Sequence, residues 1–163
     1  VFGLTIIAFF LFVRMIFLRK IEDGHESKSN YIKSNLIALV STLFMIVMPG
    51  FLSRTVAGIP EKETIGFFFM FLAFYFYLKA WKSEKFISAS IFGILAGITT
   101  ALMGLSWGGV SYIYVTIGLS GLVALILNKM ETKESAVYCL WLLSASVVYF
   151  TFTNNKPNYL SKN

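Results

Sequence analysis

The 21 residues Phe86–Ser106 read FISASIFGILAGITTALMGLS and contain no charged side chain. A helix needs about 20 predominantly apolar residues to cross the hydrocarbon core of a bilayer. The apolar residues of the stretch do not alternate with polar ones, as they would in the strand of a membrane barrel. The stretch therefore predicts a helix that crosses a membrane.

Stretches of the same kind recur along the whole chain. Of its 163 residues 57% are hydrophobic and 13% are charged, whereas a soluble domain has about 25% charged residues. This balance excludes a soluble globular domain and a disordered protein, and a single cysteine excludes an internal disulfide. We predict an all-α, polytopic membrane helix bundle. Its six helices are expected at about 1–18, 34–52, 64–81, 86–106, 108–128 and 136–152.

Small residues recur every four positions in the helix predicted at 86–106. They are Ala89, Gly93, Gly97 and Ala101. In membranes, small residues at this spacing let two helices approach closely. The pattern predicts a packing surface for a neighbouring helix.

Basic residues in the connectors predict the orientation of the bundle. Ten of the fourteen Lys and Arg residues lie on the side that holds the first, third and fifth connectors. The other four are Arg54, Lys62, Lys156 and Lys162. Because cytoplasmic loops carry the excess of basic residues, the connector at 53–63 is expected on the extracytoplasmic side of a cell membrane.

The placement of charge also limits the function. The net charge is +6, and the basic residues that produce it flank the apolar spans. This is the ordinary pattern of membrane topology, so we do not expect nucleic-acid binding. No Asp, Glu or His lies in the middle of a predicted span. Proton-coupled pumps and voltage sensors depend on such intramembrane charge, and this argues against both.

An acidic pair lies in the extracytoplasmic connector, at the start of the third predicted helix. Glu61 and Glu63 are the only acidic residues expected on that side. In an extended segment their side chains point the same way and offer oxygen ligands to Mg²⁺ or Mn²⁺. Alternatively, Pro60 begins the helix and both carboxylates lie in its first turn, where they complement the helix dipole. The two interpretations are compatible if the pair lies at the helix entrance.

Two short motifs resemble the catalytic subunit of oligosaccharyltransferase. The run SRTVAG at 53–58, followed by the acidic pair at 61 and 63, is similar to the second external loop of that family. The run Trp107-Gly108-Gly109 resembles the Trp-Gly-Gly of the family's next external connector. The pair of glutamates, where the family usually has an aspartate first, looks more like an archaeal member.

The resemblance implies a fold and a reaction. The six helices would correspond to the second to seventh helices of a thirteen-helix GT-C-type membrane domain. The family transfers a preassembled glycan from a polyprenyl (dolichol) phosphate carrier to the asparagine of Asn-x-Ser/Thr sequons in an acceptor polypeptide. Its partners would therefore be a lipid-linked oligosaccharide donor, that polypeptide and the bilayer.

The resemblance also implies roles for four residues. Glu61 and Glu63 would bind the divalent metal, Mn²⁺ or Mg²⁺. Arg54 would support these carboxylates or meet the anionic donor, with contact to lipid headgroups as the alternative. Trp107 would anchor the chain at the interface or contact the donor lipid.

Other motifs of the family are expected outside residues 1–163. These are the first-loop acidic motif, a later external loop with a catalytic glutamate, and a soluble domain with a Trp-Trp-Asp motif. The chain is therefore predicted to be a fragment of one transmembrane domain, inactive by itself. The alternatives are another lipid-donor GT-C glycosyltransferase such as a mannosyltransferase, or a non-enzymatic scaffold or transporter piece.

Overall fold

The computed structural model describes residues 1–18, 28–52 and 62–154, and this part of the chain is helical without strands. Six long helices and two short helical turns follow one another. They are α1 (Phe2–Phe17), α2 (Lys28–Val47), α3 (Pro49–Leu52), α4 (Lys62–Lys82), α5 (Phe86–Ser106), a 3-10 turn (Gly108–Val110), α6 (Ser111–Ile126) and α7 (Thr132–Asn154). The predicted all-helical membrane bundle is confirmed.

Five segments of the described chain are long and apolar enough to cross a bilayer. They are Ser29–Val47, Lys62–Lys82, Phe86–Ser106, Gly108–Ile126 and Thr132–Asn154. The helix α1 is equally apolar but has 16 residues, or about 24 Å of helix against a core of about 30 Å. The expected count of about six spans therefore differs from the structure at α1.

The helix boundaries differ most from the prediction where helices continue beyond the apolar core. The second helix was expected at 34–52, but α2 begins at Lys28 and ends at Val47. Its polar first turns lie outside the apolar run that hydropathy detects. Pro49 ends it because proline has no N–H for the helical hydrogen bond and clashes with the preceding turn, and α3 begins there. The last helix likewise starts at Thr132, not at 136.

The centre of the bundle is α5, which packs between α4 and α7, while α1 packs against α4 and α2 against α1. The core between these helices holds Ala73 and Tyr77 of α4, Ala96 and Met103 of α5, and Trp141 of α7. The helix α6 adds Ile113 and Ile117 to the same core. The outer surfaces carry exposed large apolar side chains such as Phe44, Ile126 and Phe150. Large apolar side chains on the outside, with small residues at the helix contacts inside, are typical of a bundle that faces lipid.

The small-residue pattern on α5 is confirmed as a packing surface, and its partner is α7. A β-carbon at Gly97 would lie 2.5 Å from the carbonyl oxygen of Trp141 and 2.9 Å from the nitrogen of Ala145. At Gly93 it would lie 3.4 Å from the carbonyl oxygen of Val137. The backbone of α7 therefore lies directly on the glycines of α5.

A lysine joins α4 to the end of α1. The ammonium of Lys82 donates hydrogen bonds to the carbonyl oxygens of Met15 (2.5 Å), Ile16 (3.1 Å) and Leu18 (2.9 Å). The last carbonyls of a helix have no partner within it and carry partial negative charge. We call this end of the bundle, where α4 ends at Lys82 and α5 begins at Phe86, the lysine end. The opposite end, where α4 begins and α5 ends, is the Glu63 end.

Candidate functional site

The carboxylate of Glu63 lies in the first turn of α4, at the Glu63 end, and its side chain is half-buried. Negative charge in the first helical turn is stabilised by the helix dipole, as the capping interpretation expected. Arg54, Pro60 and Glu61 lie outside the described residues. Because of this, the acidic pair and its arginine stay predictions, and the described helix contributes Glu63 alone.

The indole of Trp107 lies directly against α4, one helical turn after Glu63. Trp107 has extended backbone (φ −149°, ψ 137°) between the end of α5 and the 3-10 turn. A β-carbon at Gly66 would lie 2.9 Å from Cε3 and 3.1 Å from Cβ of Trp107. The indole ring also covers Gly109, where a β-carbon would overlap it. Glycine at both positions leaves room for the ring between α4 and the turn.

Aromatic rings form a row along the Glu63 end. The ring centroids are separated by 5.6 Å for Phe2–Phe51, 6.1 Å for Phe51–Phe67, 5.5 Å for Phe67–Trp107 and 6.2 Å for Trp107–Tyr112. These are the separations at which aromatic pairs attract each other. The row connects α1, α3, α4, the segment after α5, and α6. It fixes the start of α4, and with it Glu63, relative to Trp107.

Of the first motif the described residues include Glu63, and the structure connects it to Trp107 of the second motif through α4. Glu63 and Trp107 come from different connectors, and they meet through Gly66 and Phe67. Sequence reasoning missed Gly66 and Phe67. The sequence feature that could have indicated them is a single glycine before three phenylalanines, about one helical turn after the acidic pair. A single glycine in an otherwise bulky helix marks a close approach by another group.

Of the two carboxylates expected to bind a divalent ion, the described residues include Glu63. No group of three or more His, Cys, Asp or Glu side chains comes together within residues 1–18, 28–52 and 62–154. Mg²⁺ is often held by only one or two carboxylates, with waters and substrate phosphates completing its shell. The half-buried carboxylate of Glu63, at the end of an apolar bundle, fits one such position. A full set of ligands is not formed by the described part of the chain.

Most basic residues that the structure describes lie at the lysine end, opposite Glu63. The lysine end carries Lys33, Lys79, Lys82, Lys85, Lys129 and Lys133, whereas Lys62 lies at the Glu63 end. Lys133 donates a 2.9 Å hydrogen bond to the carbonyl oxygen of Ser83 and pairs with Glu134 at 2.9 Å. The charge asymmetry of the sequence is therefore an asymmetry between the two ends of the folded bundle.

Comparisons with known proteins point to one family. The family described as oligosaccharyl transferase STT3, N-terminal, matches residues 28–156. The chain is 27% identical over 110 residues to dolichyl-diphosphooligosaccharide–protein glycosyltransferase subunit STT3 of Saccharomyces cerevisiae. It is 31% identical over 107 residues to subunit stt3 of Schizosaccharomyces pombe, and 31% identical over 108 residues to subunit STT3B of Arabidopsis thaliana. No solved structure matches the chain significantly.

The matched regions cover most of this chain and a small part of each relative. They take in 68%, 66% and 64% of this chain, but only 15%, 14% and 14% of the three relatives. The chain thus spans about one seventh of the length of the curated relatives that it matches.

Proposed function

Because the chain belongs to the STT3 N-terminal family of oligosaccharyl transferases, we propose that it is part of an enzyme that glycosylates asparagine. The enzyme would transfer a glycan en bloc from a polyprenyl phosphate carrier to asparagine in Asn-x-Ser/Thr sequons. One observation carries the proposal: the family match at residues 28–156 includes both the acidic connector and Trp107. The names of the relatives specify a dolichyl-diphosphooligosaccharide donor, and we extend this donor class to the present chain.

We assign the metal-binding role to Glu61 and Glu63. A Mg²⁺ or Mn²⁺ ion held there would neutralise charge on the carrier phosphate, which is otherwise a poor leaving group. The position of Glu63 in the first turn of α4 supports this role, because the aromatic row holds that turn in a fixed place. Arg54 would support the carboxylates or meet the anionic donor.

Trp107 would contact the donor lipid at the edge of the bundle. Its indole is partly exposed, while one part of it lies on Gly66. An aromatic ring in this position is suited to the boundary between water and hydrocarbon, where tryptophan is enriched. The same ring positions Glu63 through the start of α4.

The protein is an integral, multi-pass membrane protein, and we propose that its Glu63 end faces the extracytoplasmic side of a cell membrane. Support comes from the described lysines, which lie at the lysine end with the exception of Lys62, since cytoplasmic ends carry the basic excess. The attribution to an archaeal source and the assignment of residues 1–163 to one fragment of a transmembrane domain, inactive by itself, remain predictions. A mannosyltransferase, a scaffold or a transporter piece has no comparable support from the comparisons.

Glycosylation of a sequon peptide by the full-length protein tests the assignment. We expect Glu63→Gln and Glu61→Gln each to reduce transfer strongly, and excess Mn²⁺ to restore part of the loss. Glu131→Gln is the matched control, because this exposed glutamate lies at the opposite end of the bundle. Undiminished transfer by both site variants would overturn the metal assignment, whereas a full-length protein without any transfer to the sequon would overturn the proposed reaction.

A further inference from the structure

A groove of about 290 Å³ opens at the lysine end, between the ends of α1 and α4 and the start of α5. Three of its lining residues are lysines, Lys79, Lys82 and Lys85, and one is an acid, Glu84. We propose that this groove binds the phosphate of an anionic membrane phospholipid. The site lies at the other end of the bundle from Glu63, so the proposal does not rest on the proposed function.

Lys79 is the lysine that lies deepest along α4. Its ammonium is 4.2 Å from the centroid of the Phe92 ring and 3.4 Å from the hydroxyl of Tyr75. Within the described part of the chain it has no carboxylate partner at ion-pair distance. A lysine in an apolar helix extends its charge toward the interface, where an anion can meet it. Among the described residues, Lys79 therefore has unused donors and no carboxylate that pairs with its charge.

Lys82 contributes charge but no further hydrogen bonds. Its three donors are directed to the carbonyls of Met15, Ile16 and Leu18. These neutral acceptors hold the ammonium at the wall of the groove without cancelling its full positive charge. A phosphate bound beside Lys79 would gain from this fixed field, which is screened less than that of a fully exposed lysine.

The opposite wall of the groove belongs to the start of α5. Lys85 precedes the helix, and Ser88 lines the groove from its first turn. The hydroxyl of Ser88 has no hydrogen-bond partner among the residues that the structure describes, and it is free to donate to a phosphate oxygen. Glu84 offsets one of the three lysine charges that line the groove, so the lining keeps a positive excess. Charge-assisted hydrogen bonds from lysine to phosphate are stronger than neutral ones.

The rest of the lining indicates a lipid as the source of that phosphate. Met15, Leu18 and Phe92 form the apolar part of the wall, continuous with the exterior of the bundle. A free phosphate ion would gain nothing from this surface, whereas a phospholipid would place its glycerol and first acyl carbons on it. Basic pockets between membrane helices are suited to anionic headgroups. The groove therefore fits an amphipathic anion.

Native mass spectrometry of the full-length protein, released from nanodiscs of phosphatidylcholine with added phosphatidylglycerol, tests the proposal. We expect Lys79→Gln/Lys85→Gln to weaken the tightest bound phosphatidylglycerol roughly 25-fold, about five-fold for each lysine near an anionic headgroup. The double variant Lys79→Arg/Lys85→Arg keeps both charges and should retain most of the affinity. This second variant separates loss of charge from loss of folding.

The matched control is Lys33→Gln/Lys129→Gln, which removes two exposed lysines from the same end but outside the groove. It should change the affinity less than three-fold. An equal loss of affinity in this control would mean that the lipid is held by the diffuse positive charge of the surface and not by the groove. That result would overturn the proposal. Displacement of the lipid by inorganic phosphate at equal concentration would also overturn it, because the groove would then be a site for free phosphate.

Discussion

The indole N–H of Trp141 on α7 donates a 3.0 Å hydrogen bond to the hydroxyl oxygen of Thr100 on α5, and both side chains are fully buried. The Thr100 hydroxyl in turn donates a 2.7 Å hydrogen bond to the carbonyl oxygen of Ala96. A buried tryptophan needs such an acceptor, because no water in the hydrocarbon region can replace it. One threonine thus connects the backbone of α5 to the largest side chain in the core.

We expect Thr100→Val to destabilise the bundle while keeping its shape. The valine fills the same space but leaves the Trp141 N–H without an acceptor. Hydrogen bonds between membrane helices contribute about 0.6 kcal/mol on average, and about 1.7 kcal/mol at most. Unfolding of detergent-solubilised protein by SDS, followed by tryptophan fluorescence, measures the change. Thr99→Val is the control, since the Thr99 hydroxyl bonds only within α5, and an equal effect there would contradict the role of the cross-helix bond.

Gly97→Ala should separate α7 from α5. Its new methyl group would meet the carbonyl oxygen of Trp141 and the nitrogen of Ala145, and these backbone atoms cannot move without shifting α7. Overpacking of this kind costs about 1–3 kcal/mol, measurable in the same SDS titration. In Gly118→Ala the methyl group meets open space, and stability should stay the same or rise. Equal stability of both variants would refute the close contact.

The contact between Gly66 and Trp107 predicts a non-additive pair of substitutions. Gly66→Ala should lower stability in the native background, because the methyl group would press on the indole ring. In a Trp107→Ala background the same methyl group should have little effect, since the ring is gone. A double-mutant cycle of thermal unfolding measures this coupling, expected at about 0.5–3 kcal/mol. Additive losses would mean that the two residues do not interact.

Lys82→Met should loosen α1. The variant keeps the apolar stem of the side chain but leaves the carbonyls at the end of α1 without their cation, at a cost of about 1–2 kcal/mol. Faster hydrogen–deuterium exchange in α1, with exchange in α5 unchanged, is the expected result. Lys85→Met provides the comparison, because Lys85 is exposed and makes no bond to α1. Identical exchange of α1 in both variants would contradict the prediction.

Helix boundaries could be predicted from the sequence where the polarity of the residues changes sharply along the chain. The prediction for α5, 86–106, matches the structure because an uncharged run begins after Lys85 and the Trp107-Gly108-Gly109 motif interrupts it. At α2 and α7 the predicted helix starts too late. The first turns of both helices are polar, so hydropathy does not detect them as part of the helix. Of the candidate site, the sequence predicted the charge of Glu63, and its position in the first helical turn was one of two interpretations. It did not predict Gly66, because the role of this glycine comes from a ring in another connector.

The sequence by itself therefore determined that this is a helical membrane bundle, which end carries the cations, and which family it belongs to. These properties depend on local composition, on hydropathy along one helix and on short motifs. Only the tertiary structure decided that α7 is the partner of the α5 glycines and that Trp107 lies on Gly66 of α4. It also decided that Lys82 holds the end of α1, 67 residues away from Met15 in the chain. Small residues permit close approach but do not select a partner, and that selection depends on the complementary shapes of side chains distant in sequence.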